Sequence, residues 1–173
     1  LTPQSIPKGK QKLLVSIVFT ATYIIPLISL IVLKALKVIQ SLKVTSIKER
    51  KIPLFIMLVI FYVLGRFLLN TAYFKELGLL FYGTNLALIL VYFLFVFNIK
   101  SSLHIMSMSS AIGFLLIFSK TNDVSVLPIV TILVLLTGIL ASARLYLKAH
   151  TRLEVYLGFG IGLTTQFIAY ALL

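Results

Sequence analysis

The sequence predicts an all-α membrane protein, a bundle of six transmembrane helices, and two observations support this fold class. Of the 173 residues, 60% are hydrophobic and 12% are charged, and the mean hydropathy is +1.11. A soluble domain of this size would need far more polar surface to cover its core. The apolar residues also come in runs of about 20, the length with which a helix crosses the hydrocarbon of a bilayer. We expect residues 1–173 to form a single transmembrane domain.

Hydropathy along the chain separates six apolar spans. They are predicted at about 13–38, 53–73, 78–98, 102–119, 126–147 and 154–172. The charged break before the second span ends in Pro53, a residue that suits the first turn of a helix. Residues 1–12 are polar and are predicted to form a loop rather than a signal peptide. Because backbone polar groups in lipid must bond within their own segment, each span is expected to be a helix.

Positive charges gather at one side of the membrane, since alternate loops share a side. The loops at 39–53, 99–102 and 148–154 would lie together, opposite the N-terminus and the loops at 73–78 and 119–126. The first side, with its helix ends, holds ten cations: Lys34, Lys37, Lys43, Lys48, Arg50, Lys51, Lys100, Arg144, Lys148 and Arg152. The second side holds five: Lys8, Lys10, Lys12, Lys75 and Lys120. The positive-inside rule would make the first side cytoplasmic, but cations that bind phosphate would bias this count, so both orientations stay open.

The formal net charge of +12 bears on the partners of the protein. In a soluble protein such a charge would suggest nucleic acid. In a membrane protein, cationic loops lie against anionic headgroups, so membrane lipids are the expected partners and nucleic acid is not. A more specific interpretation is that some of these cations hold a phosphate.

Small residues and one intramembrane cation complete the description of the spans. Gly158 with Gly162, and Gly138 with Ser142, have the four-residue spacing that is typical of close packing between membrane helices. Arg66 lies inside the second span, where it is expected to extend to the interface or to pair within the bundle. The chain contains no cysteine, which excludes disulfides, thiolate metal sites and cysteine nucleophiles.

The candidate for chemistry is a cluster around His150. Arg144, His150 and Glu154 follow the spacing Arg-x5-His-x3-Glu. On a helix or its cap, an acid four residues after a histidine can reach an imidazole nitrogen, fix the tautomer and stabilise the imidazolium. Arg144 would present a planar fork of donors that suits phosphate oxygens. The second histidine, His104, falls on the same side of the membrane, also where a loop meets a helix.

This cluster resembles the third signature of the type 2 phosphatidic acid phosphatase superfamily, which reads Ser-Arg-x5-His-x3-Asp before a Gly-rich helix. Here the matching segment runs from Ser142 through Arg144 and His150 to Glu154, followed by Val-Tyr-Leu-Gly-Phe-Gly. The resemblance covers Ser101 to about Gly162. The chain is also similar to bacterial relatives that have a further hydrophobic segment upstream. Such a segment would explain why this sequence begins with Leu.

The two other family signatures are partly matched. The second, Pro-Ser-Gly-His, opens a helix two spans before the third, and here Ser101-Ser102-Leu103-His104 stands in that place. The first, Lys-x6-Arg-Pro, is similar to Lys43-x6-Arg50, although Lys51 replaces the proline. In the family the first two signatures share a loop, whereas here two spans separate them. The loop that carries Lys43 and Arg50 is nevertheless on the side of the other two signatures; alternatively, it is a basic loop that only sets the topology.

The resemblance implies an integral-membrane phosphatase that hydrolyses a lipid phosphate or diphosphate through a phosphohistidine intermediate, in the bacterial inner membrane. His150 would be the nucleophile, Glu154 its orienting acid and His104 the acid that protonates the leaving alcohol. The phosphoryl oxygens would be bound by Arg144, Ser102, Arg50 and Lys43. Such a transfer depends on positioning and charge stabilisation, so no metal or other cofactor is expected.

Departures from the signatures leave a second hypothesis open. The usual Asp is Glu154, and Leu103 replaces a glycine whose backbone could approach a phosphate closely. The alternative is a catalytically decayed member of the same fold that serves as an accessory or lipid-binding subunit of a membrane complex. A transporter or channel has little support, because the spans carry no paired acids.

Overall fold

The computed structural model describes residues 8–41, 46–71 and 73–172, and these form helices with short connections. The helices are α1 (Lys8–Phe19), α2 (Ile25–Ala35), α3 (Ile47–Leu69), α4 (Lys75–Leu94), α5 (Leu103–Asn122), α6 (Leu127–Tyr146) and α7 (Arg152–Leu172). A π-helical turn, Thr20–Ile24, joins α1 to α2, and a 3₁₀ turn, Phe95–Phe97, extends α4. In this described part of the chain, six continuous helices are long and apolar enough to cross a membrane. The predicted all-α membrane bundle is confirmed.

The start of α3 differs from the prediction. Ser46 caps this helix: its hydroxyl accepts a hydrogen bond from the Glu49 amide and donates one to the Glu49 carboxylate, both at 3.2 Å. A Ser-x-x-Glu pair of this kind starts a helix by satisfying amides that have no partner within it. Pro53 therefore lies inside α3 rather than in its first turn, and the prediction of a loop was wrong for residues 47–52. As a result, Arg50 stands on a helix.

The other observed helix ends lie closer to their predicted positions, with one exception. The ends of α5, α6 and α7 lie within three residues of the predicted positions. The N-terminal segment is the exception, since α1 begins at Lys8 and the prediction of a loop through residue 12 was wrong for its second part.

Helix α7 packs against α5 and α4 at the centre of the bundle, while α3 packs on α4 and α6 packs mainly on α5. A Cβ atom on Gly158 would lie 2.7 Å from the Ser102 carbonyl oxygen, and one on Gly162 would overlap the Met106 carbonyl oxygen. The predicted close packing at these two glycines is confirmed. The prediction for Gly138 and Ser142 was wrong within the described chain, because a Cβ on Gly138 would meet nothing within 4 Å.

Polar side chains also join the central helices. Gln166 of α7 is buried, and its side-chain amide donates to the Leu80 carbonyl oxygen and to the Thr84 hydroxyl of α4, both at 3.3 Å. Interhelical hydrogen bonds of this kind hold membrane helices together. Arg66, in contrast, is exposed in the last turn of α3, consistent with a side chain that extends to the interface.

The alternation of the six helices puts three connections at one end of the bundle. Within the described residues, these are 36–41 and 46 between α2 and α3, 98–102 before α5, and 147–151 before α7. We call this end the cationic end, because the first turn of α3, the last turn of α6 and the two later connections carry Arg50, Arg144, Lys100 and Lys148. The Ser102 amide donates to the Glu154 carbonyl oxygen at 3.0 Å and so ties α5 to α7 there.

Candidate functional site

His150 and Glu154 form the centre of the site. His150 lies in the connection before α7, and Glu154 lies in the first turn of that helix. The imidazole Nδ1 is 2.6 Å from Glu154 Oε2, and the two side chains are 6% and 17% exposed. The contact predicted from the four-residue spacing is therefore confirmed. A carboxylate at Nδ1 holds a proton on that nitrogen and leaves Nε2 unprotonated in the neutral ring.

The capping of α7 fixes Glu154 in place. The Glu154 amide donates to the Thr151 hydroxyl at 3.3 Å, and the Thr151 amide donates to Glu154 Oε2 at 3.4 Å. This is a reciprocal capping box at the helix N-terminus. The oxygen that closes the box is also the one that contacts His150. One carboxylate oxygen of Glu154 therefore serves both groups.

The end of α6 brings Arg144 close to this pair. The Ala149 amide donates to the Arg144 carbonyl oxygen and the Lys148 amide to the Leu145 carbonyl oxygen, both at 3.0 Å, which is a Schellman motif. The motif needs a left-handed residue, and Lys148 takes that position with a φ of 50°. The chain therefore leaves α6 and enters α7 within a few residues, with Arg144 and His150 on either side of the turn.

The N-terminus of α5 contributes Ser102 and His104. Ser102 occupies the N-cap position, but its hydroxyl caps no amide and is buried without a partner among the described residues. His104 is exposed in the first turn of α5, where its imidazole interacts electrostatically with Arg144, His150 and Arg50. A helix N-terminus with uncapped amides favours an anion. The N-terminus of α5 thus brings His104 within electrostatic range of His150.

Two guanidinium groups lie within electrostatic range of His104. Arg50 is half-buried and interacts electrostatically with Glu154 and Arg144. Arg144 is also half-buried, and its Nε has no hydrogen-bond partner among the described residues. Buried donors are normally satisfied, and like charges near each other repel in a medium of low dielectric constant. An anion bound between them would relieve both costs.

The structure thus brings together most of the side chains that the sequence singled out. His150 contacts Glu154, and Arg144, Arg50 and His104 are electrostatically coupled to one another or to that pair. Ser102 joins them through its backbone contact with Glu154. Lys43 falls in residues 42–45, outside the described residues, and its role stays a prediction.

Sequence reasoning did not single out Lys100, Lys148 and Thr151. These three residues line an open cleft of about 380 Å³, together with His150 and Glu154. The loop assignment put both lysines on the correct side of the membrane, but that side carries ten cations in the sequence. A sequence alone could have indicated Thr151, because Thr-x-x-Glu is the capping-box pattern.

The donors of the site are two imidazoles, two guanidinium groups and a hydroxyl. Between residues 8 and 172, leaving aside 42–45 and 72, no three His, Asp or Glu side chains are grouped so that they could hold a metal ion. Comparisons with protein-family models, with curated proteins and with solved structures find no match for this chain. Its function is therefore inferred from the arrangement of these donors.

Proposed function

We propose that this protein is a phosphatase of the bacterial inner membrane that hydrolyses a lipid phosphate or diphosphate, with His150 as its nucleophile. The observation that carries the proposal is the 2.6 Å contact between His150 Nδ1 and Glu154 in the neighbourhood of His104 and Arg144. With Nδ1 held by a carboxylate, Nε2 carries the lone pair of the neutral ring. A nucleophile oriented by a third group is the arrangement that covalent catalysis uses.

The first chemical step forms a phosphohistidine. Nε2 of His150 attacks the phosphorus atom, the bond from phosphorus to the leaving oxygen breaks, and His104 donates a proton to that oxygen. Glu154 stabilises the positive charge that the ring of His150 acquires. Arg144 and Arg50 would neutralise the phosphoryl oxygens, whose charge is spread over the transferred group in the transition state.

The second step returns the enzyme to its starting state. A water molecule attacks the phosphorus atom of the phosphohistidine while His104, now neutral, takes a proton from it. The phosphorus–nitrogen bond breaks, and inorganic phosphate leaves from the cationic end. No oxidant or reductant is involved in either step.

The position of the site suits a substrate with a lipid tail. His104 and Glu154 stand in the first turns of α5 and α7, two helices whose remaining length is apolar enough to cross a membrane. A tail in the bilayer would therefore place a phosphorylated headgroup at the level of these residues. The Ser102 hydroxyl and Arg144 Nε, which have no partner in the described part of the chain, offer two donors for phosphoryl oxygens.

The test is phosphate release by the purified chain in detergent micelles that contain a long-chain lipid phosphate or diphosphate. We expect His150→Ala to lower the rate by about a thousandfold or more, and we expect radioactive phosphate to be trapped on the wild-type protein but not on this variant. Lys37→Ala is the control, since it removes a cation at the same end from a residue outside the site. Equal rates for wild type and His150→Ala would refute the proposal.

A second candidate function, an accessory subunit of a membrane complex, is favoured by the outer face of α6. Gly138 and Ser142 leave an open surface there, although small residues at this spacing are what membrane helices use to pack closely. This function predicts that the chain alone releases no phosphate and co-purifies with another membrane protein. Turnover by the isolated chain, lost in His150→Ala, would exclude a decayed site.

A further inference from the structure

An open cleft lies beside the His150–Glu154 pair. It measures about 380 Å³ and is lined by Lys100, Lys148, Thr151, His150 and Glu154, among others. Neither His104, Arg144 nor Ser102 lines it. The cleft therefore extends from the His150–Glu154 pair on a side that His104, Arg144 and Ser102 do not line.

The charges around the cleft favour an anion. Lys100 is half-buried and Lys148 is exposed, and neither ammonium group forms an ion pair within the described chain. The single carboxylate in the cleft, that of Glu154, is already bonded to His150 and to the Thr151 amide. Thr151 marks the N-terminus of α7, whose dipole adds partial positive charge.

Lys37 provides a matched control for Lys148, because the two residues share a backbone conformation. Lys148 and Lys37 both occupy the left-handed position of a Schellman motif, with φ values of 50° and 59°, where glycine is the usual residue. The conformation alone does not single out Lys148, because Lys37 shares it. What distinguishes the two residues is that Lys148 lines the cleft and Lys37 does not.

We propose that Lys100 and Lys148 form a second phosphate subsite next to the His150–Glu154 pair. This inference rests on the proposed function and deepens it, because it adds a place for a phosphate group other than the one that His150 attacks. That group has two possible sources, which share one chemistry. It is either the second phosphate of a lipid diphosphate or the inorganic phosphate that the reaction releases.

Binding of inorganic pyrophosphate and of inorganic phosphate to the purified protein tests the subsite directly, by titration calorimetry. We expect Lys148→Gly, and separately Lys100→Ala, to weaken the binding of at least one of the two anions by about tenfold, the loss of one charge-assisted contact. Lys37→Gly should leave both affinities unchanged. Lys148→Arg should retain most of the affinity, since it keeps the charge.

Thermal unfolding separates this effect from misfolding. Glycine adopts the left-handed conformation without the steric cost that a Cβ atom imposes on lysine. Lys148→Gly and Lys37→Gly should therefore both raise the melting temperature. A loss of anion binding in a variant that has become more stable cannot be attributed to a damaged fold. If Lys148→Gly and Lys100→Ala bind both anions as tightly as the wild type, the subsite does not exist.

Kinetics distinguish the two sources. A tenfold lower kcat/KM for a lipid diphosphate, with the monophosphate unchanged in Lys148→Gly, would identify the second phosphate of the substrate. A higher inhibition constant for inorganic phosphate, with both substrates unchanged, would identify the product. Because the calorimetry needs no turnover, anion binding that depends on these lysines in a protein without phosphatase activity would uphold the subsite and refute only the proposed function.

Discussion

At the scale of single residues, Glu154 has two roles that mutations can separate: it contacts His150 and it caps α7. Its Oε2 atom contacts His150 Nδ1 at 2.6 Å and accepts from the Thr151 amide at 3.4 Å. Glu154→Gln keeps the length and a carbonyl oxygen but loses the negative charge that stabilises an imidazolium. We expect phosphate release to fall by about a hundredfold to ten-thousandfold, measured as initial rates at saturating substrate.

Thr151→Ala is the comparison for Glu154→Gln. It removes the other half of the capping box and should cost about 1 kcal/mol of stability, while the carboxylate next to His150 keeps its charge. The Thr151 amide can still donate to Glu154 Oε2 in this variant, so we expect a much smaller loss of phosphatase activity than in Glu154→Gln. If Glu154→Gln is as active as Thr151→Ala, the charge on Glu154 plays no part in the reaction.

The residues of the site were predictable to different degrees. The His150–Glu154 contact follows from a spacing of four residues, because such spacing brings two side chains together at the start of a helix. The approach of Arg50 to Glu154 and Arg144 depends instead on how α3 sits in the bundle, and the resemblance of Lys43 and Arg50 to a family signature indicated it only indirectly. Lys100 and Lys148 lie on different connections, so no sequence spacing relates them.

At the scale of helices, the start of α3 decides where Arg50 lies. The hydroxyl of Ser46 accepts from the Glu49 amide and donates to the Glu49 carboxylate, and Arg50 follows directly on the helix. Ser46→Ala should destabilise this end by about 1 kcal/mol and speed the hydrogen exchange of the amides of residues 49 and 50. Because Arg50 would lose its support, we also expect a weaker affinity for the phosphorylated substrate.

Ser29→Ala is the control for Ser46→Ala, because the Ser29 hydroxyl bonds the Ile25 carbonyl oxygen within its own helix and caps nothing. Exchange rates at residues 49 and 50 that are equal in both variants would mean that the Ser46 cap does not hold the start of α3.

Hydropathy missed this boundary for a physical reason. The residues Lys48, Glu49, Arg50 and Lys51 are charged, and a hydropathy profile therefore assigns them to a loop, although a capped helix accommodates them at the membrane surface. The π-helical turn at Thr20–Ile24 was missed as well. Pro26 follows it, and in a regular α-helix the proline ring would clash with the Thr22 carbonyl oxygen. A π turn before a proline is one way to absorb that clash.

At the scale of the whole molecule, the number of spans was predictable and their arrangement was not. Lipid leaves a separate apolar segment no alternative to a helix, so hydropathy alone indicated six. Which helices become neighbours depends on the shapes of their faces. Two pairs of small residues with the same spacing behave differently, since Gly158 and Gly162 lie against α5, whereas Gly138 faces open space. Spacing identifies a face that can pack closely, but not whether a helix of this chain occupies it.

Alanine substitutions at two glycines of α7 measure how closely α5 and α7 pack. A Cβ atom on Gly162 would overlap the Met106 carbonyl oxygen and the Ser109 hydroxyl of α5, whereas a Cβ atom on Gly160 would meet nothing within 4 Å. Gly162→Ala should therefore force α5 and α7 apart and cost about 1–3 kcal/mol. Gly160→Ala should stabilise the helix by about 0.5–1 kcal/mol, because alanine has the higher helix propensity. Unfolding of the detergent-solubilised protein in sodium dodecyl sulfate, followed by circular dichroism, measures both changes. Because α5 carries His104 and α7 carries Glu154, Gly162→Ala should also lower phosphate release. Unchanged stability of this variant would show that α5 and α7 do not pack closely at Gly162.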